Sequence, residues 1–198
     1  MERIKQKQQS SIVLFSGGVD STVLLYEAMT RGNVYAVSFA YGQRHKKELD
    51  YAAATAKRLG IEHQVCNLDF DWLRCGLLDT HRGPVNNPVV PNRNAIMINI
   101  AASVAIQNGI EIVYIGCNQN DWELFADCRP NFLRAMDEAT SLNGVRLVAP
   151  FVGKTKSDIV ELGNSYGVDW AQTWSCYLGE KEPCGDCLAC KERKNAGV

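Results

Sequence analysis

The chain has 198 residues, 46% of them hydrophobic, which is enough for one well-buried domain with a small appendage and too few for two full domains. Its 21 basic and 22 acidic residues leave a net charge of -1, which excludes a global field favouring nucleic acid or an anionic membrane. The N-terminal "MERIKQKQQSS" lacks the apolar core of a signal peptide, and apolar runs elsewhere stop short of a membrane span. The expectation is a soluble cytoplasmic protein whose 8 cysteines, in a reducing compartment, hold metal in preference to forming disulfides.

In chain order, residues 11–15, "SIVLF", form a short apolar run that suits a strand buried on both faces. Val23, Leu24, Leu25 and Ala28 then recur at helical spacing until "RGN" at 31–33 stops the pattern. Residues 34–40 predict a second strand, 46–59 an amphipathic helix ended by Gly60, and 63–68 a third strand. A long irregular connection over 69–93, with Gly, Pro and Asn, has the length of a functional or mobile loop. Beyond it the pattern gives a helix over 95–107, strands over 111–116 and 145–150, and a helix over 156–166, opened by a capping box of Thr155 and Asp158.

Strand and helix in regular exchange predict an α/β fold, a parallel Rossmann-like sheet of about five strands with helices on both faces and ligands beyond the strands' carboxyl ends. From residue 170 the periodicity gives way to cysteine, glycine and proline. The expected division is therefore a domain over 11–169 and an appendage over 170–198.

The stretch "FSGGVDST" at 15–22 joins the first strand to the first helix. Two glycines there permit a turn that most side chains forbid and let a ligand approach the backbone. Helix amides and the hydroxyls of Ser16, Ser21 and Thr22 suit an anionic oxygen, as in a phosphate. Neither standard nucleotide fingerprint fits: Val148 stands where the Walker pattern ending at Gly153 to Thr155 needs glycine, and no glycine-x-glycine-x-x-glycine follows this strand.

Near the C-terminus, Cys176, Cys184, Cys187 and Cys190 are spaced C-x7-C-x2-C-x2-C. Four thiolates at that spacing suit tetrahedral Zn²⁺ in a closed structural site, with an iron–sulfur cluster as the competing occupant. Cys66, Cys75 and Cys117 read as small buried apolar side chains, Cys128 as ambiguous, and His63 and His81 as structural. His45 reads as a surface or capping histidine.

"SGGVDS" resembles the pyrophosphate loop of the PP-loop ATP pyrophosphatase superfamily. "FAYGQRH" (39–45), "VPNRN" (90–94), "DCRPNF" (127–132), "KTKSDIV" (154–160), "TWSCY" (173–177) and "CGDCLACKER" (184–193) together resemble its 7-cyano-7-deazaguanine synthase family, in order, from about residue 11 to 194. Departures are Asn92, where the family usually has glycine, and Phe125-Ala126, where it has Tyr-Pro. Asparagine tolerates the left-handed backbone a glycine would supply.

The resemblance implies a homodimeric ligase that uses ATP and Mg²⁺ and carries Zn²⁺. It would turn a deazaguanine acid and ammonia into a nitrile, without stable nucleic-acid binding. ATP contact would run over Phe15, Ser16, Gly17, Gly18, Val19, Asp20, Ser21, Thr22, Val23, Leu24 and Leu25. Asp20, Ser21, Arg93 and Lys156 would be catalytic, with Asp20 organising Mg²⁺. Tyr41, Gln43, Arg44, Arg93, Asp127 and Arg129 would shape the substrate pocket. A related ligase acting on another acid, a thiolase using Cys117 and Cys128, and an RNA-binding zinc knuckle are the alternatives.

Overall fold

The computed structural model describes residues 9–70, 73, 75–78 and 87–198. Five strands, β1 (Ser10–Leu14), β2 (Asn33–Ala40), β3 (Glu62–Asn67), β4 (Ile112–Tyr114) and β5 (Arg146–Val148), form one sheet in the order β3-β2-β1-β4-β5. Every neighbouring pair is parallel, as the alternating pattern predicts. The chain runs outward from β1 through β2 to β3, then crosses to β4 and β5 on the other side. The strand order therefore reverses at β1, and a crevice opens beyond the carboxyl ends of β1 and β4.

Helices α1 (Val19–Met29), α2 (Lys47–Leu59) and α5 (Lys156–Ser165) cover one face of the sheet, and α3 (Arg93–Asn108) and α4 (Pro130–Ser141) the other. Successive residues of β1 feed opposite layers: Ile12 packs with Ile98 and Val113, and Val13 with Leu24 and Ile159. All of these are fully buried, which explains why β1 reads as an unbroken apolar run. Strand and helix positions agree with the sequence pattern to within one or two residues, and the capping box of Thr155 and Asp158 forms.

Two helices lie outside that pattern. Pro130–Ser141 has proline in its first turn and buries Leu133 and Thr140, a stripe narrow enough to be lost among charged residues. The appendage ends in α6 (Leu188–Asn195), which buries Cys190. His81 and much of the connection after β3 lie outside the described residues. Among the described residues, no helix is long and apolar enough to cross a membrane.

Candidate active site

A cavity of about 270 Å³ lies at the strand-order reversal. Ser16, Gly18, Val19, Asp20 and Ser21 line it from the β1–α1 turn, Tyr41, His45 and Glu48 from the segment after β2, and Arg93, Asn94 and Met97 from α3. Cys117, Asp121, Phe125 and Cys128 enter after β4, Lys156 from the start of α5, and Trp174, Ser175, Tyr177 and Glu192 from the appendage.

The turn is shaped by Gly17, whose φ of 84° is left-handed and whose missing Cβ would stand 2.5 Å from the Glu48 carbonyl oxygen. No other residue type fits that close approach. Gly18 begins α1 with no side-chain cap, so the helix's first-turn amides face the cavity unclaimed by a neighbouring hydroxyl. The Ser16 and Gly18 amides donate to the Ser21 and Ser16 hydroxyls, each at 3.2 Å. Of the residues expected to touch ATP, Phe15 lines the cavity floor. Val23, Leu24 and Leu25 are fully buried in the core and lie outside the lining, where they anchor α1. Gly17 and Thr22 also lie behind the lining, and the buried Thr22 hydroxyl has no hydrogen-bond partner.

Lys156 forms an ion pair with Asp20 across the cavity mouth. Burial opposes the ammonium charge, and Asp20 outweighs it, holding Lys156 above its usual range. The second Asp20 oxygen, Oδ1, is buried with no partner. Asp121 stands nearby in a capping box, accepting from the Asn118 amide at 3.0 Å. Burial and then the Asp20 charge push its carboxyl up to about 6. Asp121 belongs to none of the quoted motifs, its one local signal being the Asn118-x-x-Asp121 cap, and Glu192 was passed over because it lies among the cysteines of the 184–193 motif.

Arg93 reaches the apolar side of the cavity. Asn92 before it adopts φ 57°, the left-handed turn expected of it, and is the one non-glycine residue with positive φ among the described residues. The Arg93 guanidinium donates to the Tyr41 hydroxyl at 2.8 Å, while its buried Nε has no partner. Burial pushes the Tyr41 phenol up to about 12, so it stays neutral and accepts. Asn94 donates through Nδ2 to the Cys128 sulfur at 3.3 Å, and both Cys117 and Cys128 are buried.

The other expected substrate residues stand back. Gln43 is fully buried and holds the turn after β2, accepting from the Tyr41 amide and donating to the Phe39 carbonyl. Arg44 lies outside the lining. Asp127 accepts from the Asn94 amide at 2.9 Å and so caps α3, and exposed Arg129 donates to the Trp122 carbonyl at 2.7 Å. These residues brace the pocket from behind. His45 is not on the surface: it is buried, 3.1 Å from Glu48, beside the rings of Tyr41 and Tyr177.

The sulfurs of Cys176, Cys184, Cys187 and Cys190 lie within 4.8 Å of one another, with Cys184 and Cys190 3.9 Å apart. A tetrahedron of thiolates about 2.3 Å from one ion has edges near 3.8 Å, so the four fit a single metal ion. In an iron–sulfur cubane each cysteine ligates a different iron, which demands a wider set. Amides donate to two of the sulfurs, that of Cys184 to Cys176 and that of Cys187 to Cys184, each at 3.3 Å. Although burial raises the Cys184 thiol, the amides of Cys187 and Asp186 bring it down to about 7.

An uncapped helix start, a lysine–aspartate pair and an arginine meet at the switch point of a parallel sheet, in a Rossmann-like α/β fold of the PP-loop type. Solved structures share this fold. NMN synthetase from Francisella tularensis superposes with a TM-score of 0.60 over 91% of this chain and 72% of its own, at 18% identity. The U34-tRNA thiolase NcsA from Methanococcus maripaludis, solved with its 4Fe-4S cluster, gives 0.55 over 98% of this chain at 19% identity. This chain spans 65% of the thiolase's length.

Residues 10–197 match the family model for the queuosine biosynthesis protein QueC, and the chain belongs to that family. It is 40% identical to the 7-cyano-7-deazaguanine synthase of Porphyromonas gingivalis, over 96% of this chain and 93% of the relative. It is 37% identical to that of Alteromonas mediterranea, over 95% and 93%.

Proposed function

We propose that the protein converts 7-carboxy-7-deazaguanine and ammonia to 7-cyano-7-deazaguanine at the expense of ATP. The observation that carries this reading is the meeting, in one cavity, of the uncapped α1 terminus, the Asp20–Lys156 pair and the Arg93–Tyr41 pair. The first two suit a triphosphate and the third a carboxylate.

The phosphates would lie against the α1 amides, with the Ser16 and Ser21 hydroxyls rotating to free the Gly18 and Ser16 amides for anionic oxygen. Lys156 would balance charge on the departing pyrophosphate. The unpartnered Asp20 oxygen suits Mg²⁺, which when bound would supply further charge neutralisation there. Arg93, aligned by Tyr41, would hold the acid for in-line attack on the α-phosphate, and Met97, Phe125, Cys117 and Cys128 would enclose the flat ring.

Attack by the carboxylate releases pyrophosphate and leaves an acyl adenylate, which ammonia opens to amide and AMP. The amide oxygen then attacks a second ATP, releasing pyrophosphate, and departure of AMP with loss of the two N–H protons leaves the nitrile. The four-cysteine site is assigned to Zn²⁺, which would supply a structural cross-link for a separate 170–198 unit. The near-neutral charge supports small-molecule work without stable nucleic-acid binding. The family resemblance adds a homodimer and a cytoplasmic setting, which size-exclusion chromatography and cell fractionation check.

Purified protein given 7-carboxy-7-deazaguanine, ammonium, Mg²⁺ and ATP should yield AMP, pyrophosphate and the nitrile by mass spectrometry. Absence of acid-dependent pyrophosphate release would overturn the reading, and accumulation of amide alone would narrow it to amide formation.

A further inference from the structure

The four-cysteine cluster is wired to the phosphate turn. Trp174, two residues before Cys176, donates its main-chain N–H to the Gly17 carbonyl at 3.0 Å, and its indole donates to the Cys176 carbonyl at 3.0 Å. From the other side of the cluster, Arg193 of α6 donates to the Thr173 carbonyl at 3.1 Å, the Thr173 hydroxyl at 2.7 Å and the Trp170 carbonyl at 2.6 Å. Lys47 on α2 lies 4.0 Å over the Trp174 ring and donates to the carbonyls of Glu180 and Lys181. Gly179, between the first two cysteines, sits so close to the segment after β2 that a Cβ would stand 2.4 Å from the Arg44 carbonyl oxygen.

Among the described residues, half-buried Tyr51, Leu178 and Cys187 pack against this wall, with the Tyr51 ring 5.5 Å from that of Trp174, and its fully buried core is small. Its buried cluster consists of Trp174, Cys176 and Cys190, and two of these three are prospective metal ligands. A core that small does not fix a segment by apolar burial alone. The same segment supplies Trp174, Ser175, Tyr177 and Glu192 to the cavity.

We propose that the four-cysteine site is a metal-dependent latch on the phosphate turn, so that metal occupancy sets nucleotide affinity. With the metal bound, Cys176 and Cys190 are tied together, Trp174 holds Gly17 and the cavity wall is complete. With it gone, the hydrogen bonds from Trp174 and Arg193 must hold the wall unaided, and the turn loses its brace. This rests on the reading of the β1–α1 turn as a nucleotide site, and by linkage the coupling is reciprocal: bound nucleotide tightens the metal by the same factor.

The test compares zinc-loaded protein with protein stripped by a chelator and then freed of it, titrating a non-hydrolysable ATP analogue with Mg²⁺ by calorimetry. Stripped protein should bind the analogue about tenfold or more weakly while keeping its far-ultraviolet dichroism, and the analogue should raise zinc affinity by the same factor in a chelator competition. Arg193→Gln should keep its zinc and its fold yet reproduce the weaker nucleotide binding. Equal affinity with and without zinc would overturn the latch and leave the nucleotide reading standing. Global unfolding on zinc removal would also overturn it, because the metal would then serve the whole fold. No binding by the loaded protein would remove the nucleotide reading and the latch together.

Discussion

The wall carrying Asp20 and the wall carrying Trp174 meet through one main-chain hydrogen bond, from Trp174 to Gly17, yet they are built from different forces. Behind Asp20 stand Val13, Val23, Leu24 and Leu25, all fully buried, each contributing roughly 1.5–3 kcal/mol of apolar burial. Behind Trp174 stand a cation over a ring, the half-buried Tyr51 and Leu178, a few hydrogen bonds and four sulfurs. The first wall is fixed by the core and stays fixed under most surface changes. The second depends on individual contacts, so its failures should be local and separable from unfolding.

The sharpest test of the contrast is Asp20→Ala, which should lower turnover by about a thousandfold with the melting temperature retained, since the core behind it is untouched. Gly17→Ala strikes the joint itself. A left-handed backbone and a Cβ against the Glu48 carbonyl should cost at least about 2 kcal/mol in thermal or denaturant unfolding, with nucleotide binding lost as well. Cys187→Ser should lower zinc content and melting temperature together while leaving sheet dichroism in place; unchanged zinc stoichiometry would put the metal elsewhere.

Tyr41→Phe removes the acceptor from a buried guanidinium and should raise KM for the acid about tenfold with KM for ATP unchanged. The smallest effect is expected far from both walls. Asp137 accepts from Arg146 at 2.9 and 3.0 Å and from the Leu147 amide at 2.9 Å, and the Arg146 hydrogen bond first of all holds its carboxyl below the usual range. Its stabilising effect is complete above the ordinary carboxylate pKa and is lost as pH falls through the lowered one. Asp137→Asn should therefore melt a few degrees below wild type at neutral pH and alike in strong acid.

The same contrast governs what could be read from the sequence. The sheet, its helices and the tight turn between β1 and α1 were legible because periodicity and a glycine pair are local signals. The grouping of Cys176, Cys184, Cys187 and Cys190 was legible from spacing. What joins them was not: the Asp20–Lys156 pair spans 136 positions, and Asp121 and Glu192 become neighbours of that pair only through the fold. His45 was misjudged because its burial depends on Tyr177, which the appendage supplies. The helix at Pro130–Ser141 was missed because its buried face is two residues wide among polar neighbours.

The long reach between Asp20 and Lys156 has a consequence for synthesis. A nascent chain can wind its first strand and helix early, yet the lysine that pairs with Asp20 emerges 136 positions later. Half-made chains should therefore be poor nucleotide sponges, and ribosome-bound fragments ending before Lys156 should fail to retain ATP where the finished chain succeeds.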